Sequence, residues 1–355
     1  MSKKMVFLYT GGSNQFVNGT EVPYVRYTDS DLMNFGADSS KGQVNEFVIT
    51  GGNSLSGKNN VTAYVQELIN LAKRVQSLTG KKVWFGTPRQ SDPTSSGTLV
   101  SASDAAATNV NTFIDTLKTN VITQLGSAFW NNYVVGFYVN HEHIRHSGDL
   151  YGQDVSVNSP SSHPQIRMFQ TISNKIHSLN KKILWVPYFG YGPTYQKTIE
   201  SIGIVANRTN IFDYVLLQPH YYFQPNTDIR ENLLAIRESI RLNKVVGRKL
   251  GGSYPVIGGS KTSSTKIGCQ MEVDTNCFTG RSAASSQDAG TAAQVMAAYR
   301  VTENCFNNVA TTGIPTVSGY NKANYDFSFY CSVRLSASDP NFIKVQQLIN
   351  AFYKA

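Results

Sequence analysis

The sequence predicts a (β/α)8 barrel, and three observations carry that expectation. Short apolar strands alternate with amphipathic helices along the chain, the pattern of a parallel sheet with crossover helices. Segments that follow strands are long, at residues 11–43, 88–103, 144–162 and 275–287, whereas most returns from helix to strand take a few residues. A barrel binds on the face where its long loops gather. The 355 residues, 41% apolar and 11% aromatic, supply one large core, somewhat above the usual barrel size. One domain over residues 1–355 is therefore expected.

The elements follow in order. Residues 5–10 read as the first strand and 46–50 as the second, each running into Thr-Gly-Gly, where glycine lets the backbone turn sharply. Val61, Tyr64, Val65, Leu68, Ile69, Ala72 and Val75 recur at helical spacing. Residues 82–87 form the third strand, and Asp104 can cap a helix carrying Val110, Phe113, Ile114, Leu117 and Val121. The fourth strand is Val134 through Glu142. Ser162 or His163 leads into a helix with Pro164 in its first turn and Ile166, Phe169, Ile172 and Ile176 on one face. The fifth strand covers 183–188 and the sixth 214–218, with a short helix around Tyr195, Ile199 and Ile202 between them. Asp228 and Glu231 resemble a capping box for the helix of Leu233, Ile236 and Ile240. The seventh strand is 268–274, followed by a helix over 292–304. The eighth is either 314–319 or 326–331, before a last helix opened by Asp339-Pro340.

Two strands carry the chemistry. Side chains alternate along a strand, so if Val135, Phe137 and Val139 face the helices, Tyr138, Asn140 and Glu142 point into the barrel. The same parity puts Gln270, Glu272 and Asp274 inside. An acidic side chain at the C-terminal end of each of two strands is the arrangement that hydrolysis of a glycoside by two carboxylates requires. Such a pair is expected about 5–5.5 Å apart for a retaining enzyme and about 6.5–9.5 Å for an inverting one. Asp274, also inward, could replace Glu272 as nucleophile.

A resemblance can be placed on these residues. The run Ile183-Leu-Trp-Val-Pro-Tyr-Phe, then Phe212-Asp-Tyr-Val-Leu-Leu-Gln-Pro-His-Tyr-Tyr-Phe, with one glutamate on the fourth strand and another in a Gly-x-x-x-Glu seventh strand, resembles the glycosidase-like barrel family termed domain of unknown function 4855. More broadly it looks like the clan of retaining (β/α)8 glycoside hydrolases, over roughly residues 130–275. That resemblance implies Glu142 as acid/base and Glu272 as nucleophile. His141 stands between Asn140 and Glu142, a departure from the Asn-Glu pair of many clan members.

Other polar and aromatic residues near the predicted mouth are candidates for binding sugar. Gln218 and His220, beside the seventh strand, are expected to hydrogen-bond substrate or hold Glu272 ionised. Asn140, Tyr9, Trp185, Tyr188 and Tyr222 are expected substrate contacts, because aromatic faces pack on pyranose rings. The expected function is hydrolysis of an oligosaccharide or polysaccharide by double displacement. The alternative is a carbohydrate-binding barrel without turnover, a toxin or adhesin component, since fold alone never proves activity.

Composition excludes little else. The formal charge of +9 is spread in pairs such as Lys81-Lys82 and Lys181-Lys182, with no nucleic-acid module. No stretch approaches the roughly 18 apolar residues of a membrane span, and the first residues are too short an apolar run for a signal peptide. The expected partner is carbohydrate, with no nucleic acid or membrane and no cofactor; a monomer is expected. His141, His143 and His146 invite a metal reading, but alternation turns His141 and His143 away from Glu142, so no metal is expected. The four cysteines and the sequons at Asn18, Asn60 and Asn207 favour secretion over a cytoplasmic location. Strand parity suggests disulfides Cys269–Cys305 and Cys277–Cys331.

Overall fold

The structure, a computed structural model, describes residues 2–10, 14–17, 20–23, 27–36, 43–51, 61–89, 99–224, 229–284, 287–331 and 339–354. Eight parallel strands close into a barrel: β1 (Lys4–Thr10), β4 (Glu46–Gly51), β5 (Lys82–Gly86), β6 (Val134–Val139), β7 (Lys182–Trp185), β8 (Tyr214–Leu217), β9 (Lys266–Glu272) and β10 (Phe327–Tyr330), the last pairing back onto β1. The segment after β1 holds a hairpin of β2 (Asn14–Val17) and β3 (Thr20–Pro23), then α1 (Asp29–Gly36). The remaining helices are α2 (Val61–Thr79), α3 (Leu99–Leu125), α4 (Ser127–Tyr133), α5 (Pro164–Ser178), α6 (Tyr195–Arg208), α7 (Arg230–Leu242), α8 (Asn276–Thr279), α9 (Ala292–Phe306) and α10 (Phe342–Lys354). This is the (β/α)8 architecture that the alternating pattern predicts.

Burial explains why the strands read so clearly. Outward residues such as Phe47, Ile49, Phe85, Phe137, Val139, Trp185 and Met271 pack on the helices in one large cluster. Met5, Phe7, Val48, Trp84, Tyr138, Leu184 and Leu216 fill the barrel itself. Near the N-terminal end, Lys3 pairs with Glu46 at 2.7 Å, and Glu46 accepts the Trp84 indole N–H at 2.6 Å. That end is therefore structural, and the chemistry is left to the other.

Several sequence expectations need correction. Val135 packs inside the barrel, not against the helices, because the β5–β6 register slips between Val83 and Trp84 and a bulge inverts side-chain parity. The adjoining Gly136 is required by close approach: a Cβ there would lie 1.9 Å from the Lys182 carbonyl oxygen. The third helix begins at Leu99, one turn before Asp104, and α4 was not legible. His163 caps α5 by accepting from the Gln165 N–H, with Pro164 at the first position. Helix α7 begins after Ile229 without a side-chain cap, and Asp228 lies outside the described residues. The eighth strand is within 326–331; the alternative at 314–319 is irregular chain and turn, with Ile314 in an isolated bridge to Thr311.

All four cysteines are free, and all are buried, so neither expected disulfide exists. Asn207 is no glycan acceptor: it is 0% exposed and its amide donates to the Val245 and Ile257 carbonyls. Asn18 and Asn60 lie outside the described residues. Buried thiols in apolar surroundings react slowly. A bulky thiol reagent should therefore label the native protein barely at all, and four thiols per chain after denaturation without reductant; two or none would reinstate disulfides.

Candidate active site

Glu272 ends β9, where Cys269, Met271 and Val273 face the helices and Gln270 and Glu272 turn inward. It is 0% exposed, and neither carboxyl oxygen has a hydrogen-bond partner among the described residues. His220 Nδ1 is 3.8 Å from Oε1. Gln218, expected to support Glu272, donates instead to Gln270 at 3.2 Å. Burial therefore raises the Glu272 pKa well above the carboxylate range; the charge of Glu142 adds to the rise, while Arg281 and the His220 backbone oppose it. Gln218 does not support the Glu272 charge as expected, and burial outweighs what Arg281 and the His220 backbone contribute.

Glu142 lies three residues beyond the end of β6, in irregular chain whose position is set by the Tyr188 N–H donating to the Glu142 carbonyl at 3.2 Å. Its side chain is exposed, yet enough protein crowds it that desolvation raises its pKa, against the pull of Arg89. The rise is smaller than that at Glu272. The Glu142 charge also raises the phenols of Tyr9 on β1 and Tyr138 on β6, each raised chiefly by burial. Residues from β1, β6 and β9 thus all sense the charge of Glu142.

An arc of aromatic rings surrounds the pair. Tyr9 meets Tyr330 edge-on at 5.6 Å, Tyr330 meets Phe223 at 5.9 Å, and Phe223 meets His220 at 5.2 Å. His220 in turn touches Tyr188 at 5.2 Å and stacks on Tyr191 at 5.5 Å. Tyr9, Tyr188, Tyr191, His220 and Tyr330 are partly exposed. His220 has φ 60°, a left-handed conformation that histidine, like asparagine and aspartate, adopts more often than most side chains. Such strain is found where a side chain must be aimed.

Other candidates divide sharply. Asn140 is half-buried near the site, its N–H on the Thr87 hydroxyl at 3.1 Å and its side chain 3.5 Å from the Tyr138 hydroxyl. Trp185 belongs to the outer core: it is 0% exposed, stacks on Phe212 and donates to the His141 carbonyl. Its strand ends at Trp185 with the ring on the helix side, so it is not a sugar platform. Tyr222 is likewise 0% exposed and donates to Asp274 at 2.6 Å. Asp274 is 5% exposed and is held by that hydroxyl and by the Asn276 N–H and amide. Sequence reasoning missed Tyr330, because the eighth strand was unassigned, and the cations Arg89 and Arg281, which sit in long loops without a pattern.

The histidine reading changes as well. His141 points away, its Nε2 against the Gln165 amide and its ring on Phe169. Asp149 joins His143 and His146 instead, the three ligand atoms lying within 4.8 Å of one another. His143 Nε2 is 2.6 Å from Asp149 Oδ2. His146 is 0% exposed, and its Nδ1 accepts the Gly148 N–H at 3.1 Å. With a donor on Nδ1, the neutral ring carries its hydrogen on Nε2, where it faces the Thr198 hydroxyl at 3.1 Å and Asp149 at 3.5 Å. A nitrogen carrying hydrogen is no metal ligand. The trio fits a hydrogen-bonded clamp on the chain that follows Glu142. Asp149→Asn should therefore cost about 1–3 kcal/mol of stability with no metal released on dialysis against chelator; stoichiometric metal in the purified protein would refute the clamp.

No family model matches the chain, so the family named from the sequence finds no support, and no curated protein matches it. Solved structures that it is similar to include a GH18 chitinase from Pseudoalteromonas aurantia, at 13% identity over 98% of this chain and 100% of that one, TM-score 0.44. GH5_18 from Streptomyces cattleya in complex with GlcNAc matches at 10% identity over 90% of this chain and 74% of that one, TM-score 0.45. These are glycoside hydrolase barrels. At these identities and TM-scores the likeness carries no argument about this chain, and the site has to be argued from its own residues. Among the described residues no helix is long and apolar enough to cross a membrane.

Proposed function

We propose that the protein hydrolyses glycosidic bonds of an oligosaccharide or polysaccharide with Glu142 and Glu272 as paired carboxylates, by double displacement with retention. The observation that supports this best is their electrostatic coupling at the mouth of the barrel: the two side chains follow barrel strands four and seven, yet the charge of one raises the pKa of the other. Two coupled carboxyls with displaced pKa values are the means by which one site both donates a proton and attacks. Partly exposed Tyr9, Tyr188, Tyr191 and Tyr330 offer faces on which pyranose rings pack, and Asn140 and His220 offer polar contacts.

The test is a panel of polysaccharides with product analysis by mass, followed by NMR of the first-formed anomer on the best substrate. Cleavage with retained configuration supports the full reading, and inverted configuration replaces double displacement by a single one. Turnover undiminished by EDTA is expected, because neither carboxylate step uses a metal; abolition by chelator, restored by one added metal, would remove this mechanism. Ligand bound without product after long incubation would favour a binding barrel.

A further inference from the structure

Three rings on one side of the cleft come from two turns that lie beyond the sheet. The last backbone pairing between the chains that follow β7 and β8 is at Gln218, whose N–H donates to the Pro187 carbonyl at 3.0 Å and whose carbonyl accepts from Phe189 at 3.1 Å. Past it, Gly190 (φ 88°) and His220 (φ 60°) turn both chains away, and the buried carbonyls of Gly190 and Pro219 need donors from elsewhere. One side chain meets both. Asn232, in the first turn of α7 and 0% exposed, donates its amide to Gly190 at 2.9 Å and to Pro219 at 3.2 Å.

A cation sets the orientation of that amide. Arg248 Nε donates to Asn232 Oδ1 at 2.9 Å and Nη2 to the Gly190 carbonyl at 3.3 Å, while the guanidinium lies 3.7 Å from the centroid of the Tyr195 ring. A guanidinium can only donate, so the Asn232 oxygen faces it and the amide hydrogens face the two carbonyls. The turns joined in this way carry Tyr188 and Tyr191 on one side and His220 on the other. His220 stacks on Tyr191, meets Tyr188 edge-on and holds its Nδ1 3.8 Å from Glu272.

We infer that Asn232 and Arg248 are positioning residues, which lock the turns after β7 and β8 together so that Tyr188, Tyr191 and His220 form one wall of the sugar site beside Glu272. For the use of that wall, the inference rests on the hydrolase reading. Neither residue has to touch the substrate, because a misplacement of about 1 Å at the reacting groups can cost on the order of 10²-fold in rate.

Two variants test it. Asn232→Asp keeps the shape and the Arg248 contact but removes both N–H donors, leaving two carbonyls opposite an anion; Arg248→Met, at a half-buried position, removes the partner that orients the amide. The chain has six histidines, so NMR of histidine-labelled protein reports each ring, with His220 assigned by its loss in His220→Asn. Ring currents of Tyr188, Tyr191 and Phe223 displace the His220 signals in the wild type. In each variant these signals are expected to move toward free-histidine values while those of His141, His163 and His177 stay in place. A merely structural role would lower Tm and leave His220 unmoved, which overturns the inference, as does an equal displacement of the other rings. Should Asn232→Asp not fold, Arg248→Met decides. On a substrate from the panel, kcat/KM of either variant is expected to fall about 10–100-fold, and an unchanged value overturns the role of the wall in the site. The NMR measurement uses no substrate, so failure of the panel removes the hydrolase reading alone and an unmoved His220 removes the positioning inference alone.

Discussion

Glu142→Gln and Glu272→Gln are each expected to lower kcat on the substrate found by about 10²–10⁴-fold, the span that a positioned proton donor or its partner contributes, with KM little changed. Glutamine occupies the volume of glutamate but neither gives a proton nor attacks carbon. Because the two act in one step sequence, the double variant should be scarcely worse than the poorer single one. Added azide separates the roles. With Glu272 as the attacking carboxylate, Glu272→Gly with azide yields a glycosyl azide of inverted configuration, since the anion stands in for that carboxylate. Glu142→Gly with azide then yields one of retained configuration, since the anion takes the place of the second-step water. A single variant with near wild-type turnover would take that residue out of the mechanism.

The fold was legible because burial writes directly into the sequence. Each barrel strand is sandwiched between the interior and the helices, so runs such as Ile183-Leu-Trp-Val had to be apolar on both faces. Glu142 and Glu272 stood out for a related reason: a lone acid at or just beyond the end of an apolar strand is conspicuous. What escaped depends on backbone detail that a two-residue period cannot carry. The bulge beside Gly136 reversed Val135, and strands ending at Trp185 and Glu272 left Tyr188 and Asp274 beyond the reach of parity. Trp185 and Tyr222 illustrate a second limit, since an aromatic ring near a barrel mouth is equally suited to a core. Cysteine count and a sequon likewise say nothing of burial, which is what disqualifies the four thiols and Asn207. Nor does sequence report how deeply a carboxyl is buried, and residue burial is what distinguishes Glu272 from Glu142.

The thermal stability of Glu272→Gln relative to wild type should depend on pH in one direction only. An unfolded glutamate titrates near pH 4.3, whereas burial holds the folded Glu272 carboxyl well above that. Below both values the side chain is protonated in either state and its ionisation contributes nothing. As pH rises past the unfolded value, the unfolded chain loses its proton and the folded one keeps it, so wild-type stability falls by about 1.4 kcal/mol per pH unit until the folded pKa is reached. Glutamine does not titrate, and whatever its unpartnered amide costs is the same at every pH. The difference in Tm between variant and wild type should therefore grow in favour of the variant by about 2–3 °C per unit from about pH 4.5 upward, then level off at the folded pKa. Glu142→Gln, at an exposed site, should show the same sign with a smaller slope. A Tm difference for Glu272→Gln that stays flat across this range would mean that the folded carboxyl titrates normally.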